Sequence, residues 1–174
     1  MQILQAHPQE ASLVADVLSS AATSLVEKGN ALWTAAEVTE SAVCEHVRSG
    51  MYYAAFDDEG RVGGFRFQLE DRLFWPEVPD GLSAFIHKIA VYPQKQGRDI
   101  SRGPLRHACE LARQHGIHFL RLDCIGGRPM LRAVYERFGF RLPSVKTLGD
   151  RVFDRFELDV GVACIQRVVH FPPR

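Results

Sequence analysis

The stretch from Phe85 to Phe140 constrains this chain most, because it holds two strand-to-helix junctions, each entered through a polar turn. Ala84-Phe85-Ile86-His87-Lys88-Ile89-Ala90-Val91-Tyr92-Pro93 reads as a buried strand stopped by proline. Gln96-Gly97-Arg98-Asp99-Ile100-Ser101-Arg102-Gly103 then forms a polar turn leading into a helix. A helix N-terminus approached in this way is an anion site. Farther on, Phe119-Leu120-Arg121-Leu122-Asp123-Cys124 predicts a second strand. Gly126-Gly127-Arg128-Pro129 follows it, and the next helix carries Leu131 and Tyr135 and closes at Gly139-Phe140.

In this order the segment resembles the core of the GNAT superfamily, the acyl-CoA-dependent N-acyltransferases. That family's pattern is a V-x-P strand end, then [Q/R]-x-x-G-x-[G/A], then N-x-x-[AL]-x-x-x-Y-x-x-x-G-F. Val91, Pro93, Gln96, Leu131, Tyr135, Gly139 and Phe140 fall in register with it. Asp99 and Ser101 stand where the family prefers two small residues of a phosphate turn, and Arg128 stands where it has asparagine. The resemblance implies an α/β fold with a mixed, mostly antiparallel central sheet, helices on both faces and the order β-α-α-β-β-β-α-β-α-β-β.

The rest of the chain reads in the same order. Ile3 to Ala6 predicts a first strand, and Pro8 opens a long helix with Leu13, Val17, Leu18, Ala21 and Leu25 on one face and a stop at Gly29-Asn30. Leu32-Trp33-Thr34 is a bulky connector to a second helix over 35–48, with Val38, Ala42, Val43 and Val47 apolar and Gly50 as its stop. Tyr52 to Phe56 and Arg61 to Leu69 form a hairpin across Asp57-Asp58-Glu59-Gly60. Gly63-Gly64 marks a bulge or a close backbone approach. Asp71 to Leu82 is a loop of the kind that borders substrate pockets. Leu105, Ala108, Cys109 and Ala112 give the next helix an apolar stripe that ends at Gln114-His115-Gly116. A final antiparallel pair spans Arg141 to Leu148 and Val152 to Val160. We read 1–160 as one domain and 161–174 as a tail or edge strand of it.

Acyl transfer to an amine must hold the CoA phosphates, polarise the thioester carbonyl, deprotonate an ammonium and reprotonate a thiolate. For the phosphates, backbone N–H groups from Gly97 through Arg98, Asp99, Ile100 and Ser101 to Arg102 can converge on the pyrophosphate, with Gln96 opening the turn and Arg98 and Arg102 offsetting the Asp99 carboxylate. The alternative is an ordinary capped helix start. For the carbonyl and the pantetheine arm, the resemblance implies the main chain of Ile89, Ala90 and Val91, where the family's central strand splays from its neighbour. It places Arg128 and Leu131 on the cosubstrate and Tyr135 near its sulfur as general acid, against a core tyrosine as the alternative. The base is less legible. His87 is the group on the central strand that titrates near neutral pH, competing with water relayed from a hairpin or loop group, and Asp123 is the second choice. Cys124 makes an acyl-cysteine route conceivable, although nothing nearby in sequence activates it. His107, His115 and His118 lack metal-site spacing, and no metal is expected.

Composition narrows the partners. Twenty-one basic residues balance 21 acidic ones in 174, so the overall charge offers no long-range attraction for nucleic acid or a membrane surface. The dispersed Cys44, Cys109, Cys124 and Cys164, and a start unlike a signal peptide, fit a cytoplasmic chain with reduced thiols. Ile165, Val168, Val169 and Phe171 form an unclaimed apolar segment that suggests a homodimer. The expected reaction is N-acetylation of a primary amine by acetyl-CoA, through direct attack in a ternary complex. The competing reading is a non-catalytic acyl-CoA sensor, motivated by Asp99, Ser101 and Arg128. Nothing in the residues selects the acceptor amine.

Overall fold

A computed structural model describes residues 1–96 and 102–161. The elements run β1 (Gln2–Gln5), α1 (Ala11–Glu27), a 3-10 turn (Ala35–Val38), α2 (Glu40–Arg48), β2 (Tyr52–Asp57), β3 (Gly60–Gln68), β4 (Ser83–Val91), a second 3-10 turn (Pro93–Lys95), α3 (Arg102–Gln114), β5 (Phe119–Ile125), α4 (Pro129–Phe138), β6 (Arg141–Leu148) and β7 (Arg151–Asp159). This is the expected order. The strands form one seven-stranded sheet in the order β1-β2-β3-β4-β5-β7-β6. Pairs β1–β2, β2–β3, β5–β7 and β6–β7 are antiparallel, and β4–β5 is parallel. Two compact units divide the chain, one of Met1–Gln68 with Ile86–Ala108, the other of Leu69–Phe85 with the chain from Cys109 onward.

In the first unit, α1 and α2 pack with β2 around Val14, Val17, Leu18, Ala21, Val43, Val47 and Tyr52. Leu13 is a correction: it is 48% exposed, because the buried stripe starts from Ala11 and Val14 and counts alanines that hydropathy alone ranks low. The helix expected over 35–48 is also two elements. Thr39 takes extended dihedrals and accepts from the Ala42 N–H at 3.2 Å, so it caps α2 and ends the 3-10 turn before it. Gly63 and Gly64 are close approaches as read: a Cβ on Gly63 would lie 2.3 Å from the Ala90 carbonyl oxygen, and one on Gly64 would lie 2.8 Å from that of Tyr53. The hairpin carries a bulge between Ala55 and Phe56.

In the second unit, β5 alternates strictly between half-buried and buried residues. One side opposes Leu120 to Leu158 and Leu122 to Phe156, whereas the other opposes Arg121 to Glu157 and Asp123 to Arg155. The sheet is therefore apolar on one face here and ionic on the other. The loop from 69 to 82 lies against charged groups. Trp75, 4% exposed, has the Arg155 guanidinium carbon 4.4 Å and that of Arg121 4.8 Å from its ring centroid. Arg155 also donates to the Phe74 carbonyl at 2.9 Å, the Glu77 carboxylate at 2.5 Å and the Ser144 hydroxyl at 2.9 Å. Helix α4 closes as expected: Gly139 has φ 115°, and the Phe140 N–H reaches back to the Tyr135 carbonyl at 3.0 Å. No helix of the described residues is long and apolar enough to cross a membrane. The C-terminal apolar residues Ile165, Val168, Val169 and Phe171 lie outside the described residues.

Candidate active site

Within the first unit lies the later part of β4. The β4–β5 ladder is confined to Ser83–Phe85 against Phe119–Arg121, so the main chain of Ile89, Ala90 and Val91 lies beyond it. Ala90 is buried, and Ile89 and Val91 are half-buried. Below them, the chain is tethered on both sides of the Pro93 turn. Tyr92 donates its hydroxyl to Asp16 of α1 at 2.5 Å, and the Lys95 ammonium pairs with Asp57 at 2.9 Å and with Glu59 at the hairpin tip. Burial, and then the Asp16 carboxylate, push the Tyr92 phenol up to about 12, so it stays a donor. Gln96 turns back and donates to the Val91 carbonyl at 3.4 Å. Gly97, Arg98, Asp99, Ile100 and Ser101 lie outside the described residues, and α3 starts at Arg102.

His87 is half-buried on β4, with its electrostatic neighbour His46 on α2. Burial, and then the adjacent Arg66 guanidinium, hold His46 below the ordinary histidine value. Arg66 Nη1 lies 3.5 Å from its Nε2. His107 packs its ring against Tyr53 at 5.5 Å and Phe65 at 6.3 Å, the setting of an aromatic-cluster histidine rather than a ligand.

Within the second unit lie α4 and the end of β5. Tyr135 is 8% exposed and packs its ring 5.3 Å from Phe156 and 6.0 Å from Phe140. Burial, then Cys124 and Asp123, push its phenol well above the ordinary range, so the hydroxyl keeps its proton at any working pH. Cys124 is buried beside it, and burial, then Asp154 and Asp123, push its thiol up to about 12. A thiol so placed is a poor nucleophile. Three groups read separately from the sequence, Tyr135, Cys124 and Asp123, are thus electrostatic neighbours. Arg128 precedes α4 as its N-cap, offers no side-chain cap, and accepts the Arg132 N–H on its carbonyl at 2.9 Å, while Leu131 is half-buried on the first turn.

Sequence reasoning passed over two features of this neighbourhood. Lys88 has a left-handed backbone with φ 51°, a conformation that no residue type announces in a β-branched, apolar run. The Thr34-x-x-Glu37 capping box beside it was readable from spacing alone, and both of its hydrogen bonds form.

Comparison with known proteins bears on the family and the fold. Residues 18–140 match the model of the Acetyltransferase (GNAT) family. Search of curated proteins finds no match. Among solved structures, a GNAT-family acetyltransferase from Listeria monocytogenes 4b F2365 superposes with a TM-score of 0.74 at 20% identity, covering 91% of this chain and 94% of that one. PaiA N-acetyltransferase from Thermoplasma acidophilum, crystallised with coenzyme A, gives 0.69 at 13% identity over 91% and 98%. YncA of Salmonella typhimurium, solved with its cofactor acetyl-CoA, gives 0.68 at 13% over 100% and 98%. The family match spans most of the chain, and the chain belongs to the GNAT acetyltransferases.

Proposed function

We propose that this chain is an N-acetyltransferase that uses acetyl-CoA as cosubstrate and acetylates a primary amine of a small molecule or peptide by direct attack in a ternary complex. The observation that carries direct attack is the setting of Cys124, which is 7% exposed beside the Asp154 and Asp123 carboxylates, so that burial and those charges push its thiol up to about 12 and leave it a poor acetyl acceptor at neutral pH. In this reading the amides of Ile89 and Val91 polarise the thioester carbonyl. The amine nitrogen bonds to the carbonyl carbon, the carbon–sulfur bond breaks, Tyr135 gives its proton to the departing thiolate, and the second proton that the nitrogen sheds on becoming an amide restores the phenol. The Tyr135 phenol stays protonated, so its proton is available to the thiolate, while the upward shift makes it a weaker acid that serves only through a fixed hydrogen bond to the sulfur. His87, with water, or Asp123 removes the ammonium proton.

The turn from Gln96 to Arg102, with Arg128 and Leu131, holds the cosubstrate. We place the protein in the cytoplasm as a single-domain homodimer. The test pairs binding with turnover. Acetyl-CoA at millimolar concentration should raise the melting temperature by mass action. A panel of primary amines assayed by thiol release should then contain at least one acceptor. Binding without turnover across the panel would favour the acyl-CoA sensor, and no binding would end both readings.

A further inference from the structure

Lys88 is the one non-glycine among the described residues with positive φ, at 51°. Within a strand such a residue kinks the backbone in the manner of a bulge: it turns one peptide plane against the next and re-aims the groups that follow. Burial along β4 records the break, since Ser83 to Ile86 are buried, His87, Lys88 and Ile89 are all half-buried, and Ala90 is buried again. A lysine gains nothing locally from this conformation. Residues held in such regions persist where their surroundings over-determine them.

The surroundings here are specific. The Lys88 ammonium stands 5.0 Å over the Trp33 ring and 3.5 Å from the Glu37 carboxylate, with its side chain only 14% exposed. Glu37 is itself fixed, accepting the Thr34 N–H at 2.8 Å and the Thr34 hydroxyl at 2.9 Å. Burial works to raise its carboxyl, but the Thr34 donors and Lys88 outweigh it and hold the group ionised. The connector between α1 and α2 therefore grips the strand by one side chain, at its one strained residue.

We infer that Lys88 is a positioning residue, whose side chain, anchored by Trp33 and Glu37, maintains the kink that aims the Ile89 amide at the thioester carbonyl. The inference rests on the acetyl-CoA reading above. It assigns Lys88 no contact with substrate, because its ammonium is engaged by Trp33 and Glu37. It also explains why the kink can carry a lysine where glycine would fit without strain.

The test reads carbonyl polarisation directly and needs no acceptor. Acetyl-CoA labelled with carbon-13 at the thioester carbonyl is bound to wild type, Lys88→Met, Lys88→Gly and Glu37→Gln, and the carbonyl stretch is recorded by isotope-edited infrared difference spectroscopy. In wild type the band should fall below that of free acetyl-CoA. Lys88→Met keeps the apolar stem on Trp33 and loses the anchor, so the downshift should shrink by roughly half or more while Kd changes by less than about threefold. Glu37→Gln should do the same in part, and serves if Lys88→Met does not fold. Lys88→Gly lacks the ammonium too but takes the positive φ freely, so it should keep the wild-type band. A merely structural lysine would lower the melting temperature in all three variants and leave the band in place. An unshifted band in Lys88→Met and Glu37→Gln, or a Gly variant that loses as much as the Met variant, overturns the inference. Wild type that binds acetyl-CoA with an unpolarised carbonyl does so as well. Wild type that does not bind acetyl-CoA in calorimetry removes the underlying reading, and the inference with it.

Discussion

Gly63→Ala is the smallest change that should reach the site from outside it. The added methyl would sit 2.3 Å from the Ala90 carbonyl oxygen, 3.2 Å from the Val91 Cα and 3.3 Å from the Ala90 carbonyl carbon. All three are backbone atoms, so no side-chain rotation relieves the overlap, and reaching van der Waals contact requires β3 and β4 to part by about 1 Å. Overpacking of this kind costs about 1 to 3 kcal/mol, and a backbone neighbour puts this case in the upper half. For a chain of this length that corresponds to a melting temperature lower by roughly 4 to 10 °C. The parting falls on Ala90 and Val91, so the stabilisation by acetyl-CoA should shrink as well. Gly29→Ala is the control. Gly29 has φ 67° and nothing within 4 Å, so alanine there incurs only backbone strain of about 1 to 2 kcal/mol. It should lower the melting temperature while leaving the acetyl-CoA shift intact. Differential scanning fluorimetry with and without acetyl-CoA measures both quantities. A Gly63→Ala protein that melts with wild type and responds fully to acetyl-CoA would refute the close approach.

Three further outcomes are expected. Tyr135→Phe keeps the ring against Phe156 and Phe140 and removes the donor, so turnover should fall by ~10²-fold or more with little change in acetyl-CoA affinity; equal losses in both would mark a binding contact instead. His46 is held below its ordinary value of 6.5, so the unfolded chain takes up the proton first. Its contribution to stability is full above that value and is lost as pH falls through it, and His46→Gln should reduce the drop in urea midpoint between pH 7.5 and 5.5; an unchanged drop would place the titration elsewhere. Truncation after Val160 should convert a dimer to a folded monomer in light scattering, and a full-length monomer would contradict the dimer.

What was legible in the sequence follows from how local its cause is. Stops at Gly29, Gly50, Gly116 and Gly139 could be read because a left-handed cap favours glycine, and all four have positive φ. The apolar stripe of α3 was equally readable, and Leu105, Ala108, Cys109 and Ala112 are all buried. Thr39 was missed because a threonine inside the Val38, Ala42, Val43 repeat looks like helix interior until its hydroxyl is seen to cap. Of the site, the motif residues were available by spacing, whereas the neighbourhood of Tyr135, Cys124 and Asp123 comes from packing of α4 on β5 and has no local signature. Arg155 is 81 positions from Phe74, whose carbonyl it binds, and the Glu37 carboxylate that Lys88 meets is 51 positions away. Contacts at such separations leave no trace in periodicity.

The two-faced β5–β7 ladder has a consequence for how the chain finds its fold. Its Leu120–Leu158 and Leu122–Phe156 rungs alternate with Arg121–Glu157 and Asp123–Arg155. Sliding β5 by a single residue turns its side chains over, and would press the two formal charges of Arg121 and Asp123 against the apolar side while moving Leu120 and Leu122 onto the ionic one. Stranding even one such charge costs several kcal/mol, comparable with the whole stability of a domain when both are involved. The charged rungs thus act chiefly on the states that do not form. They remove the near-native mispairings that a uniformly apolar sheet would tolerate, and so widen the energy gap below which the correct pairing lies.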